Sequence, residues 1–107
     1  MKIVQRQRLV DLANQHPISA SAVEHWIEIV KAATWDQFTD IQATFGRSVD
    51  SVKLPMRNMI TIFDIKGNDF RLLTHVCFGK GTVFIKEFLT HAEYDKNEWT
   101  ERLNYDL

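Results

Sequence analysis

Between Phe63 and Thr90 the chain runs in three stretches rich in β-branched and aromatic residues, parted by Gly67-Asn68 and by Gly79-Lys80-Gly81. Turn signals between such runs are the pattern of an antiparallel meander. Upstream the period changes from two to between three and four. Leu9, Leu12 and Ala13 share one face of a helix predicted from about Gln5 to His16, which Pro17 ends. Ser21-Ala22-Val23-Glu24 has the form of a capping box opening a second helix, with Val23, Trp26, Ile27 and Val30 as its buried stripe. A third helix is predicted from Thr34, with Gln37 three residues on, a stripe of Trp35, Phe38, Ile41 and Phe45, and Gly46 past its end. Lys2-Ile3-Val4 can form a short strand, and Arg47 to Pro55 reads as a loop or edge strand leading into the sheet. A second capping box, Thr90-His91-Ala92-Glu93, opens a closing helix. The expected fold is α+β, with N-terminal helices packed on a small antiparallel β-meander and a short C-terminal helix.

Strand alternation sorts the polar residues. If Gly67-Asn68 closes a two-residue hairpin, Lys66 faces Asp69 and Asp64 faces Arg71. Arg71, Leu73, His75 and Cys77 then share one face of their strand. A four-residue connection pairing Cys77 with Thr82 brings Lys86 to that face; a three-residue loop sends it to the other. The four-residue version gathers the more uniformly apolar set, Phe70, Leu72, Val76, Val83, Ile85 and Leu89, against the helices. The remaining face carries Arg71, His75 and Lys86, with Lys66 nearby, phenylalanines between them, and His91, Tyr94 and Asp95 at its rim. Cations interleaved with aromatics suit a phosphodiester backbone with unstacked bases. An ordinary alternative stands beside this, in which Arg71 pairs with Asp64 across the strands and Thr90, Glu93 and Asp95 serve only the helix start.

Composition narrows the class. The 107 residues, 45% hydrophobic, read as one globular domain spanning 1–107. A single cysteine, Cys77, allows no disulfide framework, as is normal in a reducing cytosol. The start of the chain has no apolar signal core and no run long enough to span a bilayer follows, so a cytoplasmic protein is expected. Four scattered histidines lack the spacing of metal ligands. The net charge of −1 neither requires nor excludes a polyanionic partner.

The stretch Phe63-Asp64-Ile65-Lys66-Gly67-Asn68-Asp69-Phe70-Arg71-Leu72, followed by Val83-Phe84-Ile85-Lys86 and Thr90-His91-Ala92-Glu93-Tyr94-Asp95-Lys96, closely resembles the HigB toxins of bacterial type II toxin-antitoxin systems, within the RelE/ParE superfamily. The likeness extends upstream through Trp26, Ala33, Trp35, Phe38 and Phe45, so it covers most of the chain. The resemblance implies a RelE-like mRNA endonuclease of the bacterial cytoplasm that acts on the translating ribosome. It further implies inhibition by a cognate helix-turn-helix, HigA-like antitoxin, with no metal, no small-molecule cofactor and no membrane attachment. In such enzymes the substrate 2′-hydroxyl is the nucleophile, and the protein aligns it, stabilises phosphorane charge and moves two protons.

Carried over by position, Arg71 would hold the scissile phosphate, and His91 and Tyr94 would supply proton transfer and either hydrogen-bond donation or base stacking. Lys86 would be a catalytic cation, although it stands where the family usually has arginine, so charge is kept and the bidentate fork lost. Lys66, His75 and Asp95 would face the RNA, Asp95 chiefly orienting a neighbour. Asp64 stands where asparagine is usual and would partly neutralise the site. The competing expectation, favoured by the near-neutral charge, is a catalytically weak relative whose main role is to bind its antitoxin or RNA.

Overall fold

The computed structural model describes residues 1–55 and 59–104. Strand β1 (Lys2–Val4) leads into helices α1 (Arg6–Asn14), α2 (Ala20–Ala32) and α3 (Phe38–Phe45). Strands β2 (Val49–Lys53), β3 (Met59–Ile65), β4 (Phe70–Cys77) and β5 (Thr82–Thr90) follow, and two short helices, α4 (His91–Asp95) and α5 (Glu98–Asn104), close the described chain. The sheet order is β1-β5-β4-β3-β2. β1 runs parallel to β5 and every other neighbour is antiparallel, so the expected meander is extended by one strand at each edge. The fold is α+β. Among the described residues no helix is long and apolar enough to cross a membrane.

Two helix starts differ from expectation. A 3-10 turn over Pro17–Ser19 runs directly into α2, so Ser21 already lies inside the helix and its box with Glu24 does not form. The Ser19 hydroxyl donates to the His16 carbonyl at 2.8 Å instead. The third helix begins at Phe38, not Thr34, after an extended segment. Trp35 is nonetheless buried, because its ring packs against Phe45 and Phe63 and its Nε1–H donates to the Thr44 hydroxyl at 3.1 Å. Its apolar periodicity reflects core contact made from outside the helix.

The hairpin register holds: Asp64 lies opposite Arg71, with Lys66 (φ 54°) and Gly67 (φ 63°) both left-handed in the turn. A lysine there tolerates a conformation that glycine adopts freely. Cys77 does pair with Thr82, as the four-residue connection requires. An irregularity between Leu73 and Thr74 then shifts the partner strand: Thr74 faces Ile85 but Leu73 faces Glu87. A bulge moves the residues beyond it to the opposite face. Phe88 therefore packs with the helices, Leu89 moves to the Arg71 side, and Lys86 sits at the bulge.

Both sheet faces are covered. The helices bury Trp26, Ile27, Val30 and Ile41 against Phe63, Leu72, Val83 and Ile85. On the other face, α5 lays Trp99 and Leu103 over Ile60, Ile62, Leu73 and Leu89. This second apolar cluster interrupts the expected continuous cationic face, since Leu73, midway between Arg71 and His75, is fully buried.

Candidate functional site

The hairpin and the β5-to-α4 junction bring Arg71, His91, Tyr94 and Asp95 together. Thr90 ends β5 with extended backbone and caps α4: its hydroxyl accepts from Glu93 N–H at 3.2 Å, while the Glu93 carboxylate accepts from Thr90 N–H at 2.9 Å. The His91 amide also donates to the Asp69 carbonyl at 3.0 Å, tying the helix start to the hairpin. These bonds hold the Glu93 carboxyl below its ordinary pKa, the Thr90 backbone N–H contributing most. A carboxylate stabilised in the folded state contributes fully above pH ~4.5 and loses that contribution as pH falls through its folded value. Thr90→Ala is expected to cost about 1 kcal/mol in thermal or urea unfolding, and Glu93→Gln to reduce the loss of stability on acidification. Unchanged unfolding midpoints in both variants would show the cap to be dispensable.

Arg71 makes four close polar contacts. Its Nε donates to Asp64 at 3.1 Å, and one terminal nitrogen donates to the carbonyls of Asn68 (3.0 Å) and Phe70 (3.2 Å). The other terminal nitrogen lies 3.3 Å from His91 Nδ1. On the far side of the imidazole, Nε2 is 3.0 Å from Asp95. Arginine can only donate and carboxylate prefers to accept, so the arrangement fits an imidazole protonated at Nε2 with its Nδ1 lone pair toward Arg71. The Arg71 guanidinium lies 5.4 Å from the Tyr94 ring centroid, and Tyr94 in turn stacks on Trp99 at 5.3 Å and 11°. Trp99 Nε1–H closes the unit by donating to the Tyr94 carbonyl at 3.1 Å.

Charge in the cluster is mixed. Burial pushes the Asp64 carboxyl above its ordinary value even though Arg71 pulls it down, and nearby Asp50 adds to the rise. The ion pair thus only partly offsets the cost of removing this carboxylate from water. Burial, reinforced by Asp50, also raises Tyr94, so the phenol keeps its proton at neutral pH. Its hydroxyl has no hydrogen-bond partner among the described residues and is available as a donor.

The remaining predicted site residues lie elsewhere. His75 sits near the opposite end of β4, its Nδ1 3.3 Å from the Met59 carbonyl and its ring against Phe84. Lys86 lines a shallow cavity of about 430 Å³ with Arg8, Glu87, Arg102 and Leu103, none of them in the Arg71 cluster. Lys66 stays close, on the exposed turn beside Asp64, and pairs with Asp69 at 3.3 Å. Two contributors were missed. Trp99 was signalled by its spacing from Leu103 after Asn97; Asp50, brought in by β2, had no local signal. Among the described residues no three of His, Cys, Asp and Glu are grouped so as to hold a metal ion.

A family model described as HigB toxin, RelE-like toxic component of a toxin-antitoxin system, matches residues 19–97. The chain is also 26% identical over 96 residues to the mRNA interferase HigB of Escherichia coli O6:H1 strain CFT073, covering 90% of each protein. The matched segment holds α2 through α4 and hence Arg71, His91 and Tyr94. The chain belongs to the HigB toxin family, the RelE-like toxic components of toxin-antitoxin systems.

Proposed function

We propose that this toxin is a ribosome-associated mRNA endonuclease that cleaves by metal-independent transesterification and is neutralised by a cognate HigA-like helix-turn-helix antitoxin. The observation that carries the mechanism is the line Asp95, His91, Arg71, held at 3.0 and 3.3 Å. When a scissile phosphate takes the Arg71 nitrogen now shared with His91, Nδ1 is released beside the ribose. His91 then removes the 2′-hydroxyl proton as the 2′-oxygen bonds to phosphorus, with Asp95 steadying the imidazolium. Arg71 offsets the charge of the phosphorane. The bond to the 5′-oxygen breaks, leaving a 2′,3′-cyclic phosphate on one fragment, and the leaving oxygen takes a proton from solvent water. Tyr94 serves best as a hydroxyl donor to a phosphate oxygen, because its ring already contacts Trp99 and Arg71 and a stacked base would have to displace one of them. Lys66, exposed in the hairpin turn itself, steers RNA toward Arg71. Lys86 and His75 act, in this scheme, as outlying RNA contacts along the sheet and not at the reacting phosphate.

The alternative, a catalytically weak module that mainly binds its antitoxin or RNA, is favoured by one observation: Asp64 already occupies the Nε of Arg71. Induced expression separates the two. A nuclease is expected to arrest growth and deplete messenger RNA, with relief on co-expression of the adjacent helix-turn-helix gene product. Normal growth at verified expression would favour the binding module.

A further inference from the structure

Strand β1 does not run the length of its neighbour. Its pairing with β5 covers Thr82 to Phe84, after which Gln5 (φ 67°) turns the chain away into α1. Among the described residues β5 therefore has no outer neighbouring strand over residues 87–90. An open sheet edge presents a row of backbone N–H and C=O groups that can pair with another chain. Two cavities lie along this one. The first, of about 430 Å³, is lined by Arg8, Lys86, Glu87, Arg102 and Leu103. The second, of about 240 Å³, shares Arg8 and Glu87 and continues past Leu12, Phe88 and Leu89 to Glu93. Side chains alternate between the two faces of a strand, so the consecutive residues Glu87, Phe88 and Leu89 can line one cavity only along the strand's edge. The cavities make one groove beside β5, walled by α1 throughout and by α5 at the Lys86 end.

We propose that this groove receives an extended, acidic segment of the antitoxin, which adds to the sheet as a strand in line with β1. The inference rests on the antitoxin that membership of a toxin-antitoxin family implies, and not on RNA cleavage. In strand addition, main-chain hydrogen bonds give affinity and pockets for alternate side chains give specificity. At the Lys86 end, Arg8, Lys86 and Arg102 outnumber Glu87, which Arg102 already holds at 2.6 and 3.1 Å, so acidic side chains are favoured there. Further along, Leu12, Phe88 and Leu89 offer an apolar stretch to a side chain of the added strand. RNA suits the groove less well. It has no amide ladder to offer β5, and its phosphates meet the like charges of Glu87 and Glu93. The added strand covers Lys86 and reaches the start of α4, where it contests the approach of RNA to His91 and Arg71.

The test follows backbone hydrogen exchange in the toxin alone and in its complex with the product of the adjacent helix-turn-helix gene. The expected result is exchange slowed about tenfold or more in the complex for the amides of residues 87–90 that point away from β4, with the opposite sheet edge, Val49–Lys53, unchanged. Arg8 is exposed on α1, and Arg8→Glu is expected to weaken the complex about tenfold by setting like charges together. Lys53→Glu, at the other edge, is expected to leave the affinity as it was, and Arg8→Ala is the milder variant should the glutamate prevent folding. A complex in which the β5 edge exchanges as in the free toxin, or whose affinity a folded Arg8→Glu leaves intact, overturns the proposal. If Arg8→Glu lowers ribosome binding while antitoxin affinity stands, the groove belongs to RNA and the proposal fails. A neighbouring gene product that forms no complex also overturns it, by removing the partner and not the site. None of these readouts depends on whether the toxin cuts RNA.

Discussion

Arg71→Ala is expected to lower RNA cleavage on programmed ribosomes by about 10²–10³-fold, the usual cost of deleting one preorganised donor at a developing oxyanion. The same change strips Asp64 of its partner. The side chains of Arg71 and Asp64 are only 11% and 22% exposed, so a poorly hydrated carboxylate is left uncompensated and some stability goes with it. An unpaired group of this kind costs roughly 1–3 kcal/mol. Arg71→Ala combined with Asp64→Asn removes the stranded charge and is expected to recover much of that stability without recovering turnover. Measured by thermal unfolding and by single-turnover cleavage, the pair separates structure from chemistry. A stable double variant that cuts at the wild-type rate would reduce Arg71 to a cross-strand partner of Asp64.

His91→Gln is expected to cost about 10²–10⁴-fold in turnover, the range for a positioned proton-transfer group. The side chain is exposed and its capping neighbours are separate residues, so unfolding should change little. Acting as base, the imidazole must accept the 2′-hydroxyl proton, so the wild-type rate should fall on acidification. His91→Gln should flatten that limb. Tyr94→Phe keeps the stack on Trp99 and loses only the hydroxyl, so a substantial loss of rate favours donation, whereas retained rate favours the ring. If His91→Gln keeps both turnover and pH profile, His91 only organises the start of α4, and proton transfer must come from another group.

Much of this arrangement was legible in the sequence because its determinants are local. Gly67-Asn68 sets Asp64 opposite Arg71, and the Thr90–Glu93 box starts α4 where His91 and Tyr94 can turn back toward the hairpin. What escaped depends on distant contacts. The bulge beside Leu73 leaves no clear mark in the alternation of β5, yet it exchanges Phe88 for Leu89 and takes Lys86 out of the expected row. The covering of Leu73 by Trp99 and Leu103 needed α5 to fold back over the sheet, and it isolates His75 from Arg71. Ser21 and Thr34 carry capping signals of ordinary strength that are overridden, by the adjacent Pro17 turn running into α2 in one case and by the burial of Trp35 in the other. Asp50 approaches Tyr94 and Asp64 only because β2 joins the edge of the sheet.

The central claim, that the toxin cuts RNA by using the substrate's own 2′-hydroxyl, is tested most directly with a single atom removed from the substrate. Purified toxin is incubated with ribosomes carrying a short messenger, first mapped for its cleavage site and then resynthesised with 2′-deoxyribose on the 5′ side of that bond. The account predicts efficient cutting of the all-ribose messenger, a 2′,3′-cyclic phosphate end on the upstream fragment, the same rate with excess chelator once ribosomes are held intact by polyamine, and no cutting at the deoxy-substituted bond. Cleavage at the deoxy position at the normal rate, or an upstream fragment ending in a free 3′-hydroxyl, would contradict it.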